Sequence, residues 1–204
     1  MALIKSGATS DLLTIDPTSK AARVSLYDKL GNYRGVKATY QGATNASVVA
    51  AAGTGLFFVI TGSATKTVIV QRITASCPTL TAVAYNTIAL QKYSTAPTGG
   101  TATVLTQVPS DSNSAAGTVS LCQVYTAAPT AGTLVGAIGG ARLLLQATTA
   151  AAGGLPANAV WDLRAQAESS AVTLRGIAEN VGLSFGSAPA SAVTLAVEVE
   201  WTEE

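Results

Sequence analysis

Apolar and polar residues alternate with a period of two along most of this chain. The clearest case is the C-terminal segment Ala192–Trp201. One face reads Val193, Leu195, Val197, Val199, Trp201 and the other Thr194, Ala196, Glu198, Glu200. That is the signature of a strand with one face buried and its carboxylates in water. Thr67–Ser76 is rich in β-branched residues, and Leu56–Ile60, Ala82–Ser94, Thr101–Thr106 and Val119–Tyr125 read as further strands. So do Ala141–Gln146, Val160–Arg164 and Val172–Arg175. Val160–Ser170 is the best helix candidate, but its Trp-Asp-Leu-Arg alternation fits a strand as well. Turn formers punctuate these runs at Pro97–Gly100, Pro109–Ser114, Pro129–Gly132 and Gly153–Pro156. Short strands at near-regular spacing predict an all-β fold, an antiparallel β-sandwich or jelly roll.

The first 45 residues differ in character, and the division expected is 1–45 as an extended arm with a hairpin and 46–204 as the sandwich domain. Leu12, Leu13 and Ile15 form an extended segment before Pro17. Arg23–Asp28 and Gly35–Tyr40 alternate around a turn at Lys29–Tyr33, and Lys5, Lys20, Arg23, Lys29 and Arg34 tinge the region basic. One small hairpin is not stable alone in water. It must dock on the main domain, a neighbouring subunit or a larger partner.

Composition narrows the chemistry. The chain has 204 residues, no His and two Cys. Without His, a Ser-His-Asp or Cys-His constellation and a His-based zinc site are ruled out within this chain. Charged residues make up only 11% and the net charge is +1, so there is no basic footprint for nucleic acid. Ala, Thr, Ser and Gly fill about half of the chain, well above average usage. The opening lacks the apolar core of a secretory signal. The most apolar stretch, Ala46–Gly62, is too short and too broken by Gly and Thr to span a bilayer. No membrane partner and no cofactor are expected.

Individual motifs are weak. Gly62-Ser-Ala-Thr-Lys-Thr67 lacks the glycines of a phosphate loop, and Gly53-Thr-Gly55 is a fragment of a dinucleotide motif without its context. Glu198 and Glu200 lie two apart on one strand face, about 6.6 Å by strand geometry, a spacing that glycoside hydrolysis accepts. The chain is poor in the aromatic residues that line such clefts, and a solvated strand face is the simpler expectation. Asp111-Ser-Asn113 offers oxygen ligands but no spaced third and fourth, so an Asx turn is expected. Asn45-Ala-Ser47 matches a glycosylation sequon that lacks a secretory context. Cys77 and Cys122 read as small core residues, bonded only if the fold brings their strands together. Trp161 and Trp201 read as core or interface residues.

Several stretches carry a resemblance. They are Ser6–Asp28 followed by Gly31-Asn32, Lys92–Gly100, Val108–Asn113, Tyr125–Gly136, Thr173–Gly176 and Val193–Glu204. Together they resemble bacteriophage virion structural proteins over nearly the whole chain, through turn and strand signatures rather than catalytic ones. The resemblance implies a β-rich, jelly-roll-like subunit present in many copies, made in the host bacterial cytoplasm and carried in the virion. The leading expectation is a non-enzymatic capsid decoration or cement protein, a homotrimer. Its arm would bind the major capsid protein, another virion protein or an adjacent subunit through Leu12, Leu13, Ile15, Val24, Leu26 and Tyr27. A neck, collar, tail or fibre component touching the host surface is the alternative, and a virion-associated glycosidase using Glu198 and Glu200 the remote one.

Overall fold

Strands are the only regular elements among the described residues of the computed structural model, which are 14–15, 22–23, 38–44, 48–50, 55–79, 84–118, 121–145, 157–164, 171–187 and 193–204. The chain divides into two units, Met1–Lys37 and Ala38–Glu204. In the first, β1 (Thr14–Ile15) pairs antiparallel with β2 (Ala22–Arg23), with Ile15 opposite Ala22. Leu12, Leu13, Val24, Leu26, Tyr27 and the turn expected at Lys29–Tyr33 lie outside the described residues.

The second unit is a β-sandwich of two antiparallel sheets. Its strands are β3 (Thr39–Ala43), β4 (Val48–Ala50), β5 (Leu56–Thr61), β6 (Val68–Thr79), β7 (Ala84–Tyr93), β8 (Thr101–Val104) and β9 (Gln107–Pro109). They are followed by β10 (Cys122–Ala127), β11 (Leu134–Leu145), β12 (Ala157–Asp162), β13 (Val172–Leu174), β14 (Asn180–Phe185) and β15 (Val193–Glu203). One sheet runs β11-β7-β14-β5-β10-β8 and the other β12-β6-β15-β3-β9, with β13 on β6 and β4 on β15.

The alternation read in the sequence becomes the core. On β15 the residues Val193, Leu195, Val197, Val199 and Trp201 are all buried, while Glu198 is exposed. They meet Phe58, Ile60, Ile88, Leu90, Val181 and Leu183 of the opposite sheet and Val68, Val70 and Ile73 of their own. Each such side chain contributes on the order of 1.5–3 kcal/mol when fully buried. Two aromatic contacts join neighbouring strands, one within each sheet: Tyr40 of β3 stacks on Trp201 of β15 with ring centres 5.9 Å apart, and Phe57 of β5 tilts against Phe185 of β14 at 4.7 Å. Every side chain of β5 from Leu56 to Ile60 is buried, because the outer face of its sheet is also covered. There Leu56 and Val59 lie beneath Tyr93 and Tyr125, whose hydroxyls donate to Gln91 Oε1 at 2.8 Å and Gln123 Oε1 at 2.9 Å.

Several boundaries differ from the sequence expectation. Thr39–Ala43, counted with the arm, pairs with β15 as part of the main sheet, and Tyr40 is a core residue. β11 begins at Leu134 rather than Ala141, and Gly136, Gly139 and Gly140 sit within a strand interrupted by bulges. β14 was not expected at all. Its buried Gly182 and Ser184 blur the alternation that marks a half-exposed strand. The strand expected from Val160 is present as β12, which starts earlier, at Ala157; residues 165–170 of the helix candidate lie outside the described residues.

Candidate functional site

The polar face of β15 carries the pair of carboxylates that the sequence singled out, Glu198 and Glu200. Antiparallel register places Glu200 between Arg72 on β6 and Gln41 on β3, and Glu198 between Thr74 and Ala43. Because Ala43 presents only a methyl group, a depression of about 170 Å³ opens there, lined by Gln41, Gly42, Ala43, Arg72, Glu198, Val199 and Glu200. Glu200 Oε2 accepts from Arg164 Nη2 at 3.1 Å and lies 3.4 Å from Arg72 Nη2. Arg164 is steadied by its own backbone N–H, which donates to Asp162 Oδ1 at 3.1 Å. The two carboxylates therefore share a face, but one is committed to two guanidinium groups. The depression is lined by no aromatic residue. Four of its seven lining residues, Gln41, Arg72, Glu198 and Glu200, are polar or charged.

A second cluster lies at the end of the same strand and escaped the sequence reading. Glu203 has a fully buried side chain, and Lys66 Nζ donates to its Oε2 at 2.9 Å. The Thr118 hydroxyl donates to Oε2 at 2.8 Å, and the Thr118 backbone N–H lies 3.0 and 3.1 Å from the two oxygens. The Trp201 indole N–H donates to Oε1 at 3.0 Å. This carboxylate thus joins the end of β15 to the segment between β5 and β6 and to the segment before β10. Burial alone would raise its pKa; the hydrogen bonds from Lys66, Trp201 and Thr118 outweigh it and hold the carboxyl below the ordinary glutamate value. The same bond raises Lys66, against a smaller opposing effect of desolvation. The signal was present in the sequence: one more step of two residues along the buried parity of β15 reaches Glu203, a carboxylate on the core face.

The remaining candidates resolve as follows. Cys122 is a free, buried thiol, and burial together with the Glu203 charge pushes its pKa well up, so it is an inert core residue. Asp111 forms an Asx turn, its carboxylate accepting from the Asn113 N–H at 2.9 Å. Trp161 and Trp201 are both buried. Among the described residues no group of three or more His, Cys, Asp or Glu is placed to hold a metal ion, and no helix is long and apolar enough to cross a membrane. Of the six expected arm anchors, only Ile15 falls within the described residues, in β1.

Comparison of the chain with protein-family models, curated proteins and solved structures finds no match.

Proposed function

We propose that the chain is a bacteriophage capsid decoration protein, a jelly-roll-like sandwich that sits on the assembled shell as a homotrimer and is anchored by its N-terminal arm. The observation that carries this reading is the division of the chain into a sandwich starting at Ala38 and a preceding unit, Met1–Lys37, whose described strands are two residues each. A small hairpin is not stable alone in water, and strand addition to a neighbouring sheet edge is a mode by which such an arm docks. Leu12, Leu13, Ile15, Val24, Leu26 and Tyr27 supply its apolar anchors, and the major capsid protein or an adjacent subunit supplies the surface. The role is structural and uses no cofactor, nucleic acid or membrane. A protein that binds assembled shell and not free subunits stabilises the shell by mass action.

The test is cosedimentation of the full-length chain with purified capsids lacking it. Wild type should pellet with capsid and raise the temperature at which the shell opens. A variant with Leu12, Leu13, Leu26 and Tyr27 changed to Ser should stay in the supernatant while keeping the wild-type melting temperature of its sandwich. Undiminished binding by that variant would sink the arm as anchor, and absence of binding by wild type would sink the decoration role.

A further inference from the structure

One stretch of the sequence occurs twice. Gln91-Lys-Tyr-Ser-Thr-Ala-Pro-Thr-Gly-Gly-Thr101 and Gln123-Val-Tyr-Thr-Ala-Ala-Pro-Thr-Ala-Gly-Thr133 are identical at seven of eleven positions. The first copy leads from β7 to β8 and the second from β10 to β11. In the sheet order β11-β7-β14-β5-β10-β8 these strands are arranged about an approximate two-fold axis between β14 and β5, with β7 answering to β10 and β8 to β11. Ser94–Gly100 therefore runs from the second strand of the sheet to the sixth, and Ala128–Thr133 from the fifth to the first. They run in opposite directions, since β11 begins opposite Tyr93 and β8 opposite Ala127, at the two ends of the sheet. The inner face is filled by the core, so both segments cross the outer face as straps, over Leu56, Val59, Tyr93 and Tyr125.

The contacts repeat with the sequence. Tyr93 donates to Gln91 Oε1 at 2.8 Å and Tyr125 to Gln123 Oε1 at 2.9 Å. Ser94 Oγ donates to the Thr133 carbonyl and Thr126 Oγ1 to the Thr101 carbonyl, both at 3.4 Å. The Ala127 carbonyl at Gly100, and the Thr95 carbonyl at Gly132, leave no room for a side chain. At the axis Thr98 and Thr130 meet, each donating its N–H to the carbonyl of the other, at 3.0 and 2.9 Å. Further bonds run from strap to strap: the Ser94 N–H donates to the Thr133 carbonyl at 2.9 Å, and the Thr133 N–H to Thr95 Oγ1 at 2.7 Å. The sheet beneath contributes Asn180 Nδ2, which donates to the Thr95 carbonyl at 2.8 Å.

We propose that the two straps form a mutual latch that couples the two edges of this sheet, so that β8 and β11 open together or not at all. The edges are the first and last of six strands, roughly 24 Å apart by strand spacing, and they do not pair with each other. Each strap, however, leads directly into one of them. Lifting either strap removes the partners of the Thr98 and Thr130 N–H groups at once, and those of Ser94 and Thr133 with them. A strap left behind has polar backbone groups without partners over an apolar cluster, which is costly. Two-fold arrangements of this kind tie residue to residue reciprocally, so neither half closes alone. Local openings of a fold follow such cooperative units, and here the unit joins two strands that share no hydrogen bond. The latch is a property of the folded sandwich and does not rest on the virion role.

Amide hydrogen exchange on the full-length chain tests it, with β8 and the start of β11 as the two reporters and Phe58–Ile60 of β5 as the internal reference. Thr98→Cys with Thr130→Cys closes the latch covalently. Both side chains are exposed, and a hydrogen-bonded antiparallel pair holds its Cα atoms about 5.5 Å apart, within disulfide reach. The oxidised variant should exchange at least tenfold more slowly at β8 and at β11 alike, and reduction should restore the wild-type rates. Thr95→Val keeps the shape of the side chain and removes the acceptor of the Thr133 N–H. It should speed exchange at both edges at least threefold while Phe58–Ile60 stay at the wild-type rate. Failure of the pair to oxidise would overturn the proposal, because the straps would not meet as described. So would a change at one edge alone or at neither, or edges that move only in step with β5, which would mark opening of the whole sandwich rather than of the latch.

Discussion

Glu203→Gln is the perturbation with the largest effect that the structure allows to be worked out. The substitution keeps the shape of the side chain and removes its charge. An amide nitrogen at the Oε1 position faces the Trp201 indole N–H at 3.0 Å, donor against donor. At the Oε2 position it faces Lys66 Nζ at 2.9 Å. The second placement is the cheaper, because Lys66 is 36% exposed and can swing into water and the Thr118 hydroxyl can turn to accept. What is lost is the charge assistance of a buried carboxylate with four donors. Breaking a buried pair costs about 3–5 kcal/mol, and the partial exposure of Lys66 lowers that to about 2–4 kcal/mol. For a chain of this size the loss corresponds to a fall in melting temperature of roughly 4–16 °C. Urea unfolding at neutral pH, with the slope unchanged and the midpoint lowered, is the assay. The pH dependence identifies the cause. Glu203 is depressed in the folded state, so its contribution is complete above the ordinary value of 4.5 and is lost as pH falls through the lower folded value. Lys66 is raised, so its contribution is complete below 10.5 and is lost as pH rises through the higher folded value. The gap between wild type and variant should therefore close in acid. A midpoint within about 0.5 kcal/mol of wild type at neutral pH, a change typical of a plain surface substitution, would refute the clamp.

Three further outcomes follow from the same geometry. Gly182→Ala sets a methyl group against Leu56 Cδ1 and, at 2.7 Å, the Phe58 carbonyl oxygen, which should destabilise the sandwich by about 1–3 kcal/mol in the same urea assay. The Cys122 thiol should resist iodoacetamide in the folded protein and be labelled fully in guanidinium, as read by peptide mass mapping; rapid native labelling would contradict its burial. Glu198→Gln with Glu200→Gln should lower stability by less than about 1 kcal/mol, because pairs as exposed as Arg72–Glu200 are worth little, and should leave capsid binding unchanged; lost binding would make that face the anchor.

How far the sequence revealed this molecule depends on how many faces each strand shows to water. β15 was legible from Val193 to Trp201, because its inner and outer faces differ in chemistry there. β14 was not, because a strand covered on both sides has no polar face to alternate with its apolar one, and Gly182 and Ser184 supplied only small residues. The first half of β11 was hidden by glycines, which mark bulges inside a strand as readily as its end. The pairing of Glu200 with both Arg72 and Arg164 was beyond reach, since Glu200 and Arg72 lie on different strands and Arg164 just past the end of a third, in an order the sequence does not state. Glu203 was within reach by parity alone. The boundary at Ala38 was missed because Thr39–Ala43 reads equally well as the end of a hairpin or as a strand of the sheet, and its partner, β15, is far along the chain.

The measurement that bears most directly on the decoration role is the number of copies of this chain per purified virion, by quantitative mass spectrometry against the major capsid protein. The account predicts a fixed, simple ratio to the capsid protein, hundreds of copies per particle, as a repeated shell lattice requires. A few to a few dozen copies would move the chain to the neck, tail or fibres and contradict the decoration role. Absence from the particle would contradict the virion reading altogether.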